Sequence, residues 1–227
     1  MKLPLSKRLQ VCCSLVKRGQ RVADIGCDHG YLGIHLLQSG IATFVIASDI
    51  NEQPLNSALR NARKFGVADK MAFYISDGVR NIPRDFDTMV CAGMGADTMV
   101  SILEAATWLR DSRYTLVLQC QSKIPTLRSY LSDHGFHIRQ EIALRDGRFL
   151  YTVMEVGYEP CQPLQPSETY FSPALLQSQD PLALEYYKST VFRLQRAVDN
   201  QKEKDPTMQL ALEQLKNMHP FLKGGSL

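Results

Sequence analysis

The residues with most chemical content stand in one short run, Asp24-Ile25-Gly26-Cys27-Asp28-His29-Gly30. An apolar segment, Arg21–Ile25, leads into it and a helical pattern leads out from Tyr31. That is the strand–turn–helix setting in which nucleosides bind. A dinucleotide fingerprint needs a second glycine two residues after the first, so that backbone can approach a pyrophosphate. Asp28 holds that position, and its carboxylate would repel a pyrophosphate at the helix N-terminus. The acid-rich turn suits a phosphate-free, cationic nucleoside, and S-adenosylmethionine, with its ammonium and sulfonium, is one. Asp24, Gly26, Cys27, His29 and Gly30 are then expected to line this cofactor. Nineteen residues past Gly30, Asp49 ends a second apolar run. It can accept both ribose hydroxyls, with Ile50 beside it; its other use is to cap the following helix. Asp77 and Gly78 follow a third run, where a carboxylate can take an adenine amino group, although Asp-Gly pairs also make plain turns. A fourth run ends in Cys91-Ala92-Gly93-Met94-Gly95. Gly93 there leaves room beside the cofactor, and flexible Met94 is placed to touch a flat substrate.

The elements that must position these groups alternate. Strands are predicted at Arg21–Ile25, Thr43–Ser48, Met71–Ile75, Thr88–Cys91 and Tyr114–Gln119. Helices are predicted at about Leu5–Val16, Tyr31–Ser39, Gln53–Phe65, Asp97–Thr107 and Ile124–His134. Strand–helix alternation implies a parallel sheet covered on both faces. The last two strands, around Phe136–Leu144 and Phe149–Val156, flank Asp146-Gly147, a hairpin signal that makes the closing strand antiparallel. The expected fold is therefore α/β, a Rossmann-like sheet of the class I methyltransferase kind with an antiparallel closing hairpin. Residues 1–158 form this domain. Three prolines within the seven residues Pro160–Pro166 read as a linker. Two helix starts follow, Asp180-Pro181 and Asp205-Pro206. Residues 159–227 are accordingly expected to hold a linker and a helical, coiled-coil-like hairpin.

The 227 residues are 44% hydrophobic and 22% charged, which argues for a packed globular chain. No apolar run approaches the roughly 20 residues of a bilayer span, and the first ten residues lack a signal-peptide core. A soluble, cytoplasmic protein is expected. Its six cysteines are scattered without a C-x-x-C pair, so neither a metal site nor a disulfide framework is expected. A monomer is slightly favoured as the oligomeric state. The net charge of +3 is uninformative, but its distribution is not. Basic residues crowd the N-terminus (Lys2, Lys7, Arg8, Lys17, Arg18, Arg21) and recur at Arg60, Arg63, Lys64, Arg145 and Arg148.

The runs Leu5-Ser6-Lys7-Arg8-Leu9 and Val22 to Leu32, with Cys91 to Gly95 and Asp146-Gly147-Arg148-Phe149, make a specific set. On these residues, over nearly the whole chain, the sequence resembles the bacterial tRNA (adenine-N1)-methyltransferases that act on adenine 22 of the D-arm. The resemblance implies tRNA as partner, with Lys7, Arg8, Met94 and Arg148 on the substrate side. Two departures stand out: Ser48-Asp49-Ile50-Asn51 where the family often has Gly-Glu-Val-Asn, and Gln119-Cys120-Gln121 where it often has Gln-Pro-Asn. Adenine N1 carries an in-plane lone pair and needs no prior deprotonation, so alignment is the enzyme's main task. Asp28 is the candidate catalytic residue, accepting from the exocyclic amine; holding the cofactor's ammonium is its alternative. His29 is a pocket wall or, less simply, a general base. The target base must be extruded for N1 to be reached. The competing functions are methylation of another RNA base or a small molecule, and non-catalytic binding of cofactor and RNA. The C-terminal hairpin offers Lys188, Arg193, Arg196, Lys202, Lys204 and Lys216 for phosphate contacts, diluted by Glu185, Asp199, Glu203, Asp205 and Glu213.

Overall fold

The computed structural model describes residues 3–201, 203 and 205–223; Lys2, Lys202 and Lys204 lie outside the described residues. The chain begins with α1 (Lys7–Ser14), whose N-cap Ser6 accepts from the Leu9 N–H. Alternation then follows as β1 (Gln20–Ile25), α2 (Tyr31–Gln38), β2 (Ala42–Asp49), α3 (Glu52–Lys64) and β3 (Met71–Ile75). It continues through β4 (Thr88–Met94), α4 (Ala96–Ala105), β5 (Thr115–Cys120) and α5 (Ile124–Asp133), to the hairpin β6 (Phe136–Asp146) and β7 (Phe149–Tyr158). The seven strands lie in the order β3-β2-β1-β4-β5-β7-β6. The first five are parallel, and β7 runs antiparallel between β5 and β6.

Period-two alternation explains why near-continuous apolar runs make these strands. Val22, Val45, Ala47, Val90, Val117 and Val153 face one helical layer, built from α1, α2 and α3. Their neighbours Ala23, Ile46, Met89, Cys91, Leu116, Leu118 and Met154 face the other, built from α4 and α5. A strand buried on both faces has no polar side to show. The hairpin turn is Gly147-Arg148, since Asp146 still pairs with Phe149. Gly147 has φ +60° while Arg148 keeps negative φ, the pattern of a two-residue turn with glycine first.

The proline-rich stretch is packed rather than loose. Leu164 N–H donates to Ser132 Oγ at 2.8 Å, and Arg139 makes two contacts with Glu159 at 2.9 and 3.0 Å. Two short helices that the sequence reading lacks follow, α6 (Pro166–Tyr170) and α7 (Pro173–Gln177). Each opens on proline at its first position; Gln165 and Glu168 form a capping box, and Ser172 caps α7. Then α8 (Pro181–Asp199) and α9 (Pro206–Lys223) lie side by side, with Tyr187 Oη donating to Leu215 O at 2.6 Å. Their core of Phe171, Leu175, Tyr186, Leu194, Ala211 and Leu215 includes Ala143 of β6. Beneath it, Arg128 of α5 and Glu141 of β6 form a fully buried pair. Arg128 also donates to the Thr169 and Tyr170 carbonyls at 2.8 Å, and the Ser172 hydroxyl reaches Glu141 at 2.5 Å. Among the described residues no helix is long and apolar enough to cross a membrane.

Candidate cofactor and substrate site

A polar pocket of about 210 Å³ opens at the carboxyl ends of β1, β4 and β5. Its floor is the turn after β1. Asp24 is buried, and its Oδ2 has no hydrogen-bond partner. Burial pushes its carboxyl up to about 7, with Asp49 adding to the rise and the Gly33 amide opposing it. Gly26, at φ +71°, lies under the Met94 methyl, so a Cβ there would have to displace that methyl. Asp28 takes a left-handed backbone at φ +49°, tolerated by Asp better than by most residues. Its N–H donates to Asp49 Oδ2 at 3.2 Å, while Asp49 Oδ1 accepts from Asn51 N–H at 3.0 Å. One buried carboxylate thus ties the turn after β1 to the end of β2. The side chains of Asp28 and His29 stay 70% and 53% exposed, 3.7 Å apart. The Asn61 amide fixes the loop below by donating to the His29 carbonyl at 2.9 Å.

The opposite wall comes from β4, β5 and α1. Gln119 is buried, accepts from Gly93 N–H at 3.1 Å and donates to Cys120 O at 3.2 Å. With both amide ends engaged, it holds the Gly93 turn rather than a ligand. Gln121 is held by its backbone, N–H to Met94 O at 2.8 Å, and borders the pocket with its side chain. Arg8 reaches the pocket from α1. Its Nε binds Asp146 Oδ2 at 3.0 Å and its guanidinium lies 4.8 Å from the Tyr151 ring centroid.

The expected site residues therefore separate. Asp24, Gly26, Cys27, Asp28, His29, Gly93 and Arg8 border this one pocket. Asp49 joins them through the Asp28 N–H. Met94 covers Gly26, and Gly30 starts α2 in close contact with Ala58. Ile50 is 63% exposed, beside β3's Ile75 at 54%, an apolar pair at the strand ends that the sequence reading half saw. Asp77 is exposed and 3.5 Å from Arg80. Gly78 packs on Ile102, where a Cβ would come within 2.8 Å. Lys7 and Arg148 stand outside the pocket: Lys7 is exposed on α1, and Arg148 at the hairpin tip lies over Phe149. Ser6, Leu9, Tyr31, Leu32, Ala92, Gln119 and Gln121 border the pocket and went unnamed as site residues, although all of them lie in the runs quoted for the family resemblance or in its departure at Gln119-Cys120-Gln121. The buried Cys27 and Cys91 thiols are pushed up by desolvation, away from nucleophile chemistry. Among the described residues no group of three or more His, Cys, Asp or Glu is arranged to hold a metal ion.

A sheet in this order, with an acidic turn after its first strand, defines a class I methyltransferase. Residues 5–154 match the family model described as a methyltransferase domain. A candidate tRNA methyltransferase of Mycoplasma genitalium is 30% identical over 67% of this chain and 69% of its own length. The tRNA (adenine(22)-N(1))-methyltransferase of Bacillus subtilis is 31% identical over 67% of this chain and 64% of that protein. A Streptococcus pneumoniae protein crystallised with S-adenosyl-L-methionine superposes with a TM-score of 0.82 at 27% identity, covering 96% of this chain and 99% of that one. The chain belongs to the methyltransferase-domain family, and its relatives there include tRNA methyltransferases.

Proposed function

We propose that this chain transfers the methyl group of S-adenosylmethionine to N1 of an adenine in tRNA, acting in the cytoplasm on adenine 22 of the D-arm. The observation that carries the reading is the buried Asp24 carboxyl at the pocket floor, whose Oδ2 has no partner. A buried acceptor without a donor is costly, and an ammonium group satisfies it. Asp49 is placed to accept from ribose hydroxyls, and the exposed Ile50 and Ile75 to flank an adenine ring. Asp77, exposed at the end of β3, is the candidate for the adenine amine.

When bound, the cofactor supplies an electrophilic methyl on a sulfonium. The remaining work falls to this chain. Asp24 takes the ammonium, which frees the more exposed Asp28 for the target base. Its tether to Asp49 holds that carboxylate at the pocket mouth, where it accepts from the exocyclic amine and offsets the positive charge that develops on the ring. Adenine N1 attacks with its own lone pair as the carbon–sulfur bond breaks, so no residue must remove a proton. His29 then serves as wall, and Met94 and Gly93 flank the base. The test is incubation of unmodified tRNA transcripts with labelled cofactor, followed by digestion to nucleosides. Label in 1-methyladenosine is expected; label elsewhere, or none, overturns the reading.

A further inference from the structure

We infer that a second groove, between the β5–α5 turn and α8, is the subsite for the nucleotide adjoining the methylated adenine. The inference rests on the RNA reading above and specifies how the same site takes its substrate. The groove encloses about 330 Å³. Gln121 borders both it and the reaction pocket, so the two adjoin at that residue. Tyr186 and Leu194 are nearly fully buried beneath it, and Tyr170 lines it half-buried. The half-buried Tyr170 is the ring of this groove that keeps surface open to a flat base, the sequence-tolerant way of holding a single strand. Arg193 supplies the charge. Arg193 is exposed, 6.0 Å from the Tyr186 ring centroid, with a 3.4 Å contact to the Thr190 hydroxyl. Lys123 binds Asp97 at 2.7 Å, and among the described residues lining the groove none is acidic. Lys123 also holds a left-handed backbone at φ +55°, rare for a residue with a side chain.

The chemistry selects the occupant. A base extruded from its stack carries its neighbour's phosphate and ribose with it, and the strand must leave the reaction pocket somewhere. The exit over Gln121 meets the Tyr170 ring for the next base and the exposed Arg193 for its phosphate.

The experiment uses the full chain with Ala197→Trp, which fills the groove from an exposed position of α8, and Arg193→Gln. Each is assayed on an intact tRNA transcript and on transcripts made abasic at the nucleotide on either side of the target. For Ala197→Trp, kcat/KM on the intact transcript should fall about tenfold, the size expected for losing one base–aromatic stack. S-adenosylmethionine affinity, read by calorimetry, should stay unchanged. One of the two abasic transcripts should cost the wild type a similar factor and cost the variant nothing further. Unchanged kcat/KM in the variants, or losses that multiply at both abasic positions, overturns the subsite. Should Ala197→Trp lose cofactor binding, Arg193→Gln decides by salt dependence: kcat/KM should fall with a shallower salt slope than wild type, and an unchanged slope overturns the subsite. A wild-type enzyme that forms no 1-methyladenosine on the intact transcript would instead sink the function itself.

Discussion

Asp24 is a carboxyl group that burial keeps partly protonated at neutral pH, with a midpoint near 7. Its ordinary value is 3.8, so between about pH 4 and 7 the folded chain binds more protons at this site than the unfolded chain does. Stability of the free protein should therefore fall as pH rises through that window and level off above it. A cationic ligand reverses the preference, because an ammonium beside Asp24 favours the charged form. Cofactor affinity should rise from pH 6 to 8 with release of a proton, read by titration calorimetry in buffers of different ionisation enthalpy. Asp24→Asn should weaken binding and flatten that dependence; a variant that keeps the full slope would assign it to another group. Asp49→Ala strands the Asp28 and Asn51 N–H groups as well as a ribose, and should weaken binding by roughly 1–3 kcal/mol. Asp28→Asn separates the two carboxylates. Single-turnover rates should drop more than cofactor affinity, and the reverse ordering would return Asp28 to the cofactor. At this scale the sequence was legible where residues stand next to one another. Asp24, Asp28 and Asp49 sit at strand ends that periodicity alone locates. Gln119 and Gln121 were not, because what decides their roles is contact with Gly93 and Met94, more than twenty residues earlier.

Among the elements, strand bounds were read to within three residues, because the central strands are apolar on both faces and the helices between them carry their own period. Helices α6 and α7 escaped for two physical reasons. Five residues are too few to show a 3.6-residue repeat, and Pro166, the last of the linker-like prolines, is here a first-turn residue behind the Gln165 cap. What holds them is distant in sequence: the Arg128–Glu141 pair, to which Ser172 and two carbonyls of α6 bind. Removing one member of a buried ion pair strands the other. Arg128→Met should cost about 3–5 kcal/mol, visible as a lower urea midpoint. Adding Glu141→Leu should recover much of the loss. If the double variant is no more stable than the single one, the stranded charge is not the cause.

Across the whole molecule, the C-terminal helices share a core and a buried ion pair with the sheet, so cutting after Tyr158 would bare Glu141, Arg128 and Ala143. Their part in RNA binding is better tested on the surface. Lys188, Arg196 and Lys216 are exposed on α8 and α9, while Arg145 of the hairpin is already paired with Glu185. Replacing the three by alanine should leave cofactor affinity and the thermal midpoint near wild type. Filter binding at several salt concentrations should show weaker tRNA binding, with a slope shallower by roughly 0.7–0.9 for each phosphate no longer neutralised. Identical slopes would make α8 and α9 structural.

The Arg8–Asp146 ion pair has a consequence for how the enzyme is made. It joins residues 138 positions apart and sets one wall of the cofactor pocket. At about 5–20 residues per second, synthesis separates these two side chains by roughly 7–28 s. The acidic turn after β1 leaves the ribosome early, yet the pocket around it stays open until the closing hairpin has emerged and paired. The Arg8 wall of the pocket is therefore completed late, with the last two strands.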